Sequence, residues 1–200
     1  MQNTITQHLL KDHVLRPLVQ NIPFPEFSTS KGVYLDLLRS IVGQQLSGKA
    51  AATIHSRFLD LFHNQNPQPG ELQNLGLETL RTAGLSRQKA AYLQNVAAFF
   101  ENENVSEDKL RAMPDDKVIQ YLTQIKGVGK WTVEMILMFT LQRPDVLPVD
   151  DLGIQNAIAG LYGIEEKGKA LKEKMVEIAT PWQPYRSYAC YLLWRYKDGG

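Results

Sequence analysis

The chain has 200 residues, 44% of them apolar and 22% charged, enough to bury a substantial core. Its net charge is +1, with nine Lys/Arg against ten Asp/Glu in residues 1–108 and thirteen against eleven in 109–200, so it lacks the broad basic field of many nucleic-acid binders. The single cysteine, Cys190, excludes an intrachain disulfide, a multi-cysteine zinc site and a four-cysteine iron–sulfur cluster, and it fits a reducing cytoplasm or nucleus. No apolar run is long enough to cross a bilayer. The opening MQNTITQHLLKDHV lacks the basic start, apolar stretch and small-residue cleavage site of a signal peptide, so neither membrane insertion nor secretion is expected.

Apolar residues recur with a period near 3.6 and do not alternate, which predicts an all-α chain of about ten helices. Ile5, Leu9, Leu10 and Val14 mark the first, closed near Pro17. Residues 22–30 read as irregular, held by Pro23 and Pro25. Leu35, Leu38, Ile41 and Val42 mark the second helix; Ser47 is placed to cap a third carrying Ala51, Ile54, Phe58 and Phe62. HNQNPQPG (63–70) reads as a loop, and Leu77 to Ala83 as a short helix ended by Gly84. Ser86 caps a helix with Ala90, Leu93, Val96, Ala97 and Phe100 on one face. Ser106 caps a short one, with Glu107 and Asp108 suited to the positive end of its dipole. Pro114 opens a helix at its first turn and runs to about Ile125; a further helix spans Lys130 to Phe139. After a Pro-punctuated connection, 143–149, helices follow from Asp150-Asp151 to Leu161, Lys169 to Ala179 and Tyr185 to Tyr196. No repeat or low-complexity tract interrupts them.

The stretch LTQIKGVGKWTVEMILMF joins two of these helices through a Gly-x-Gly turn. Glycines there allow positive φ and close backbone approach. The N–H groups of the turn and of the next helix start can then point outward together, a phosphate site that needs no side-chain charge, with Lys130 as one added cation. Taken alone, the turn also fits an ordinary connection between two helices.

Ile125-Lys126-Gly127-Val128-Gly129-Lys130-Trp131-Thr132 resembles the helix-hairpin-helix of the DNA glycosylase superfamily that includes endonuclease III, with the whole motif at about 114–140. Leu147-Pro148-Val149-Asp150-Asp151-Leu152-Gly153-Ile154 stands where that superfamily carries its essential aspartate. Ile41 to Ser47 (IVGQQLS) and Tyr185-Arg186-Ser187-Tyr188-Ala189 resemble the 3-methyladenine DNA glycosylase II branch, in a compact form without the N-terminal sheet domain that bacterial enzymes of that branch often carry. The resemblance spans roughly residues 30–196. It implies one glycosylase domain over 1–200, two helical lobes with the active site in the cleft between them, and a monomer acting on duplex DNA with damaged bases.

Residue by residue, the resemblance implies Asp151 as the catalytic carboxylate, because Asp151-x-x-Ile154 matches the family spacing, and Asp150 as a cap or supporting group. Either aspartate also fits a plain helix N-cap. One carboxylate suffices in principle: an N-alkylated purine is already cationic and a good leaving group, and the developing sugar cation needs a fixed anion beside it. Strand-cleaving relatives place a nucleophilic lysine where this chain has Trp131, so a monofunctional hydrolase is implied, with no lyase step. Trp131 and Trp194 occupy positions like those of pocket tryptophans, suited to a cationic base, and Met135 stands where some relatives have an aromatic. Trp182 reads as structural. The side chain that plugs the duplex after base flipping maps to Gln45, with Leu46 as runner-up; Gly43 to Ser47 equally fits a helix-to-helix corner. Gly127, Val128, Gly129, Lys130 and Thr132 are the implied phosphate-binding residues. The family hairpin also holds a monovalent cation, sodium or potassium, here through the carbonyls of Thr123, Ile125 and Val128; no cofactor is required. His8, His13, His55 and His63 show no metal spacing, and His8 and His13 read as a solvated helix face. A glycosylase for deaminated or oxidised bases, a non-catalytic DNA-binding module, and a helical protein without a nucleic-acid partner are the alternatives.

Overall fold

The computed structural model describes residues 2–24, 30–197 and 199. Among them are thirteen α-helices and no strand. In chain order these are α1 (Gln2–Leu9), α2 (Arg16–Asn21), α3 (Val33–Gly43), α4 (Gly48–Leu59), α5 (Pro69–Asn74), α6 (Leu77–Thr82) and α7 (Arg87–Asn102). There follow α8 (Glu107–Ala112), α9 (Asp115–Leu122), α10 (Lys130–Met135), α11 (Leu152–Tyr162), α12 (Gly168–Ala179) and α13 (Arg186–Lys197). The count exceeds the expected ten chiefly through α2 and α5. Each has six residues, too few to show a helical period, and each starts on a proline in its first turn. The first expected helix is divided because the Asp12 carboxylate accepts the N–H groups of Val14 at 2.8 Å and Leu15 at 3.1 Å, an Asx-type turn that ends α1. Pro25 and the rest of 25–29 lie outside the described residues.

The chain divides into two compact units, Thr29–Ile136 and a second that combines Met1–Ser28 with Leu137–Gly200. In the first, α7 is the central element, and α3, α5 and α6 pack on it. Ser86 caps α7 by accepting the Lys89 N–H at 3.2 Å, and the expected face of Ala90, Leu93, Val96, Ala97 and Phe100 is buried. Ser106 caps α8 in the same way. Ser47 occupies the N-cap position of α4 without a side-chain cap bond, and that helix buries Phe58, with Phe62 just beyond it, while Ala51 and Ile54 are half-buried. Pro114 is the N-cap of α9 and precedes its first turn.

In the second unit α11 packs on α13 and α12, and α2 packs on α13. Trp182 is structural, as the sequence predicts: it is buried, and its Nε1–H donates to Asp12 Oδ2 at 2.8 Å beside the Tyr162 hydroxyl at 2.7 Å. Burial pushes the Asp12 carboxyl up, but the hydrogen bonds from Trp182, Tyr162, Leu15 and Val14 outweigh it and hold the pKa below the ordinary 3.8. His8 departs from the solvated-face reading, since its Nε2 lies 2.9 Å from the Pro181 carbonyl and its ring meets Tyr185 edge-on.

Candidate active site

In the Thr29–Ile136 unit, α9 and α10 form the expected hairpin. Its turn rests on α7: Asn95 Nδ2 donates to the Lys126 carbonyl at 3.1 Å, and a Cβ added to Gly127 would lie 2.2 Å from Tyr92 Cγ. Gly127 also has φ +106°, so glycine is required there twice over. Gly129 differs from expectation. It is extended, at φ −91° and ψ 166°, and nothing lies within 4 Å of where its Cβ would stand, so that side of the turn is open to a ligand backbone.

The donor set is narrower than the sequence reading. The Val128 N–H does not point outward; it donates to the Ile125 carbonyl at 3.0 Å, and the Val128 side chain is buried. The first intrahelical bond of α10 runs from Val133 N–H to the Gly129 carbonyl, so the N–H groups of Gly129, Lys130, Trp131 and Thr132 precede the helical ladder. The Thr132 side chain is buried, which restricts its contribution to the backbone. Lys130 Nζ stands 3.4 Å from Glu134 Oε1 one turn on. Trp131 is exposed at 41%, an unusual setting for a tryptophan with only a core role, and Met135 is half-buried.

In the same unit α3 ends at Gly43, and Gln45 adopts a left-handed backbone, φ +58°, followed by the exposed Leu46. The Leu46 N–H donates to the Gly43 carbonyl at 3.2 Å, closing a tight corner. A non-glycine residue held in this conformation is strained, and such strain concentrates at functional turns.

In the other unit Asp151 is the N-cap of α11. Its Oδ1 accepts the Ile154 N–H at 2.8 Å and the Trp194 Nε1–H at 2.9 Å, and the residue is 9% exposed. The D-x-x-I spacing therefore has a local cause: Ile154 is buried, and its own N–H holds the carboxylate. Asp150 is not the cap, contrary to one reading of the sequence; it forms an ion pair with Lys172 of α12. Gly153 leaves space for this arrangement, since a Cβ there would lie 2.9 Å from Asp151 Oδ1 and 3.1 Å from Trp194 Cδ1.

Three features escape the sequence reading. Phe139, 39% exposed, stands with its ring centroid 5.8 Å from that of Trp194 at 31°, so the tryptophan beside Asp151 is part of an aromatic pair. Residues Ile136–Thr140 form a π-helical turn. A straight α-helical register puts Phe139 on the face of the buried Thr132 and the half-buried Met135, and the wider turn re-aims it. The third feature is a clamp on the segment before Asp151. Arg186 donates to Asp145 through Nε at 2.7 Å and a terminal nitrogen at 2.9 Å, while Ser187 donates to the Arg143 carbonyl at 2.7 Å and accepts the Val146 N–H at 2.9 Å. Among the described residues no group of three or more His, Cys, Asp or Glu is arranged to hold a metal ion.

The hairpin thus carries a helix start whose first N–H groups precede the ladder, and α11 starts on a capping aspartate held by a tryptophan. Residues 38–184 match the model of the HhH-GPD superfamily base excision DNA repair proteins, and the chain belongs to that family. It is 36% identical over 168 residues to DNA-3-methyladenine glycosylase 1 of Schizosaccharomyces pombe, covering 82% of this chain and 72% of that protein. Its fold is similar to that of the 3-methyladenine DNA glycosylase of S. pombe in complex with abasic DNA, with a TM-score of 0.86, 31% identity, and 98% and 97% of the two chains covered. It is equally similar to DNA-3-methyladenine glycosidase from Bacillus halodurans, with a TM-score of 0.86, 33% identity, and 98% and 89% covered.

Proposed function

We propose that this chain is a monofunctional DNA glycosylase that flips alkylated purines of the 3-methyladenine kind out of duplex DNA and hydrolyses their N-glycosidic bond. The observation that carries the reading is Asp151, whose carboxylate is oriented by Ile154 N–H and Trp194 Nε1–H on one oxygen, in a chain of the base-excision family.

Alkylation leaves the purine positively charged. When the C1′–N9 bond breaks, its electron pair leaves with the base and neutralises that charge, while positive charge develops on the sugar. A carboxylate already desolvated and oriented stabilises that cation without reorganising. Water then bonds to C1′, and its proton passes to Asp151 and on to solvent, leaving an abasic site. Trp194 orients the carboxylate and, with Phe139, offers ring faces to the cationic base. Trp131 and Met135 are assigned to base contact by the family resemblance alone. With tryptophan at position 131 there is no amine there to form a Schiff base, so strand cleavage is left to another enzyme.

The hairpin anchors a phosphate through the N–H groups of Gly129 to Thr132, with Gly127 shaping the turn, Val128 packing it and Lys130 at its edge. Gln45, or its neighbour Leu46, fills the gap left by the flipped base. The Ile125 carbonyl keeps one lone pair after accepting the Val128 N–H. It therefore fits, with the carbonyls of Thr123 and Val128, a loosely held sodium or potassium ion that would stiffen the turn and favour a phosphate. No cofactor enters the reaction. The protein acts as a monomer, in the reducing compartment that its one buried cysteine suits. Among the described residues no helix is long and apolar enough to cross a membrane.

The test is release of free base from methylated duplex DNA by the wild type and by Asp151→Asn, with strand breaks read before and after alkali. The expected result is release that falls at least about 10²-fold in the variant, with breaks only after alkali. Release of deaminated or oxidised bases in preference to methylated ones would move the substrate class; salt-sensitive DNA binding without any release would leave a binding module.

A further inference from the structure

The turn that carries Gln45 is held by a residue distant in sequence. Lys89, half-buried in the first turn of α7, donates from Nζ to the Val42 carbonyl at 2.9 Å and to the Gln44 carbonyl at 2.7 Å. These carbonyls flank the end of α3. Continuation of the helix would bring the Leu46 N–H to Val42, but that N–H closes on Gly43 instead. The ammonium replaces the missing helical donor on one side and ties down the residue before Gln45 on the other. Burial lowers the Lys89 pKa, so placing a charged lysine here has a cost, against which the two carbonyl oxygens favour the ammonium form.

Beside the turn lies an open depression of about 230 Å³ lined by Gln45, Leu46, Ile54, Leu85 and Lys89, among others. That side of the turn is therefore not filled by packed side chains. We propose that Lys89 is a positioning residue for base extrusion: its two bonds hold residues 44–46 in the conformation that presents Gln45 to the gap left by the flipped base. The proposal rests on the reading of Gln45 as the inserted residue, and its test does not require base release.

The variants are Lys89→Met, which keeps the stem and removes the donor, and Lys89→Arg, which keeps a donor. Hydrogen exchange of the Leu46 amide, measured without DNA, reports on the turn. Fluorescence of 2-aminopurine, placed as the target base of a duplex, reports on extrusion. Lys89→Met is expected to exchange Leu46 faster and to lower the unstacking equilibrium about tenfold, with Lys89→Arg close to the wild type and thermal unfolding little changed. Gln45→Ala should reproduce the extrusion defect without faster exchange, and adding it to Lys89→Met should bring little further loss. Unchanged exchange in Lys89→Met, or equal fluorescence in all variants, overturns the proposal. Faster exchange in Lys89→Met with full unstacking by Gln45→Ala overturns only the choice of Gln45. Absence of base release by the wild type overturns the glycosylase reading and leaves both readouts in force.

Discussion

Asp151 Oδ1 takes two donors, one from the helix it caps and one from Trp194, which lies 43 residues on. An aspartate that only capped α11 would need the first alone; the second restricts the rotation that would let the anion swing away from a substrate. Hydrogen bonds to a charged group contribute about 1.5–3 kcal/mol. Trp194→Phe keeps a ring and removes the donor, so it is expected to slow single-turnover base release by about 10–100-fold while leaving DNA affinity within a few-fold, measured on one methylated duplex. Gly153→Ala tests the same geometry from the other side. Alanine is the better helix former by about 1 kcal/mol, yet its Cβ would lie 2.9 Å from Asp151 Oδ1 and crowd Trp194. Base release should fall by about tenfold or more although α11 gains propensity. Full activity in Gly153→Ala would mean that the carboxylate position is not critical.

Along α7, Lys89, Tyr92 and Asn95 recur every three residues and form one stripe. Lys89 holds the turn after α3; Tyr92 and Asn95 hold the turn between α9 and α10. One central helix thus sets both turns to which DNA contacts are assigned. Gly127→Ala measures how tightly. It meets a left-handed backbone and the near end of the Tyr92 ring, so urea unfolding should show a loss of about 2–4 kcal/mol. Adding Tyr92→Ala should recover only the steric part, because the φ strain remains. The hairpin was legible through the resemblance carried by Ile125 to Thr132, since Gly-x-Gly alone also fits an ordinary connection, and the family spacing D-x-x-I separated Asp151 from Asp150 because it reflects an actual N–H bond. Phe139 was not legible, since a π-helical turn breaks the period from which faces are counted. Nor was the outward direction of the Val128 N–H correctly read: whether a turn amide faces solvent depends on its carbonyl partner, here Ile125.

The pairing of the chain's first residues with its last third is likewise invisible to local patterns, since Asp12 meets Trp182 across 170 positions. That contact makes a molecule-wide pH prediction. Asp12 has a depressed folded-state pKa, so its contribution to stability is full above the ordinary carboxylate value and is lost as pH falls through the folded value. In urea unfolding, Asp12→Asn should be less stable than the wild type at pH 7, and the difference should shrink as pH falls below the ordinary carboxylate value of 3.8. Charge sets the final expectation. With a net charge of +1, the molecule has little long-range attraction for a duplex, and the proposed hairpin contact uses backbone N–H groups, which carry no net charge. Each Lys or Arg that neutralises a phosphate contributes about −0.9 to the slope of log K against log salt. Lys130 shares its charge with Glu134, and Lys172 shares its charge with Asp150, so neither brings a full unit of charge to a phosphate. Fluorescence anisotropy with an abasic duplex from 50 to 300 mM salt should then give a shallow slope, about −1 to −3. A slope steeper than about −5 would require a basic track elsewhere on the surface and would remove the backbone hairpin as the main source of affinity.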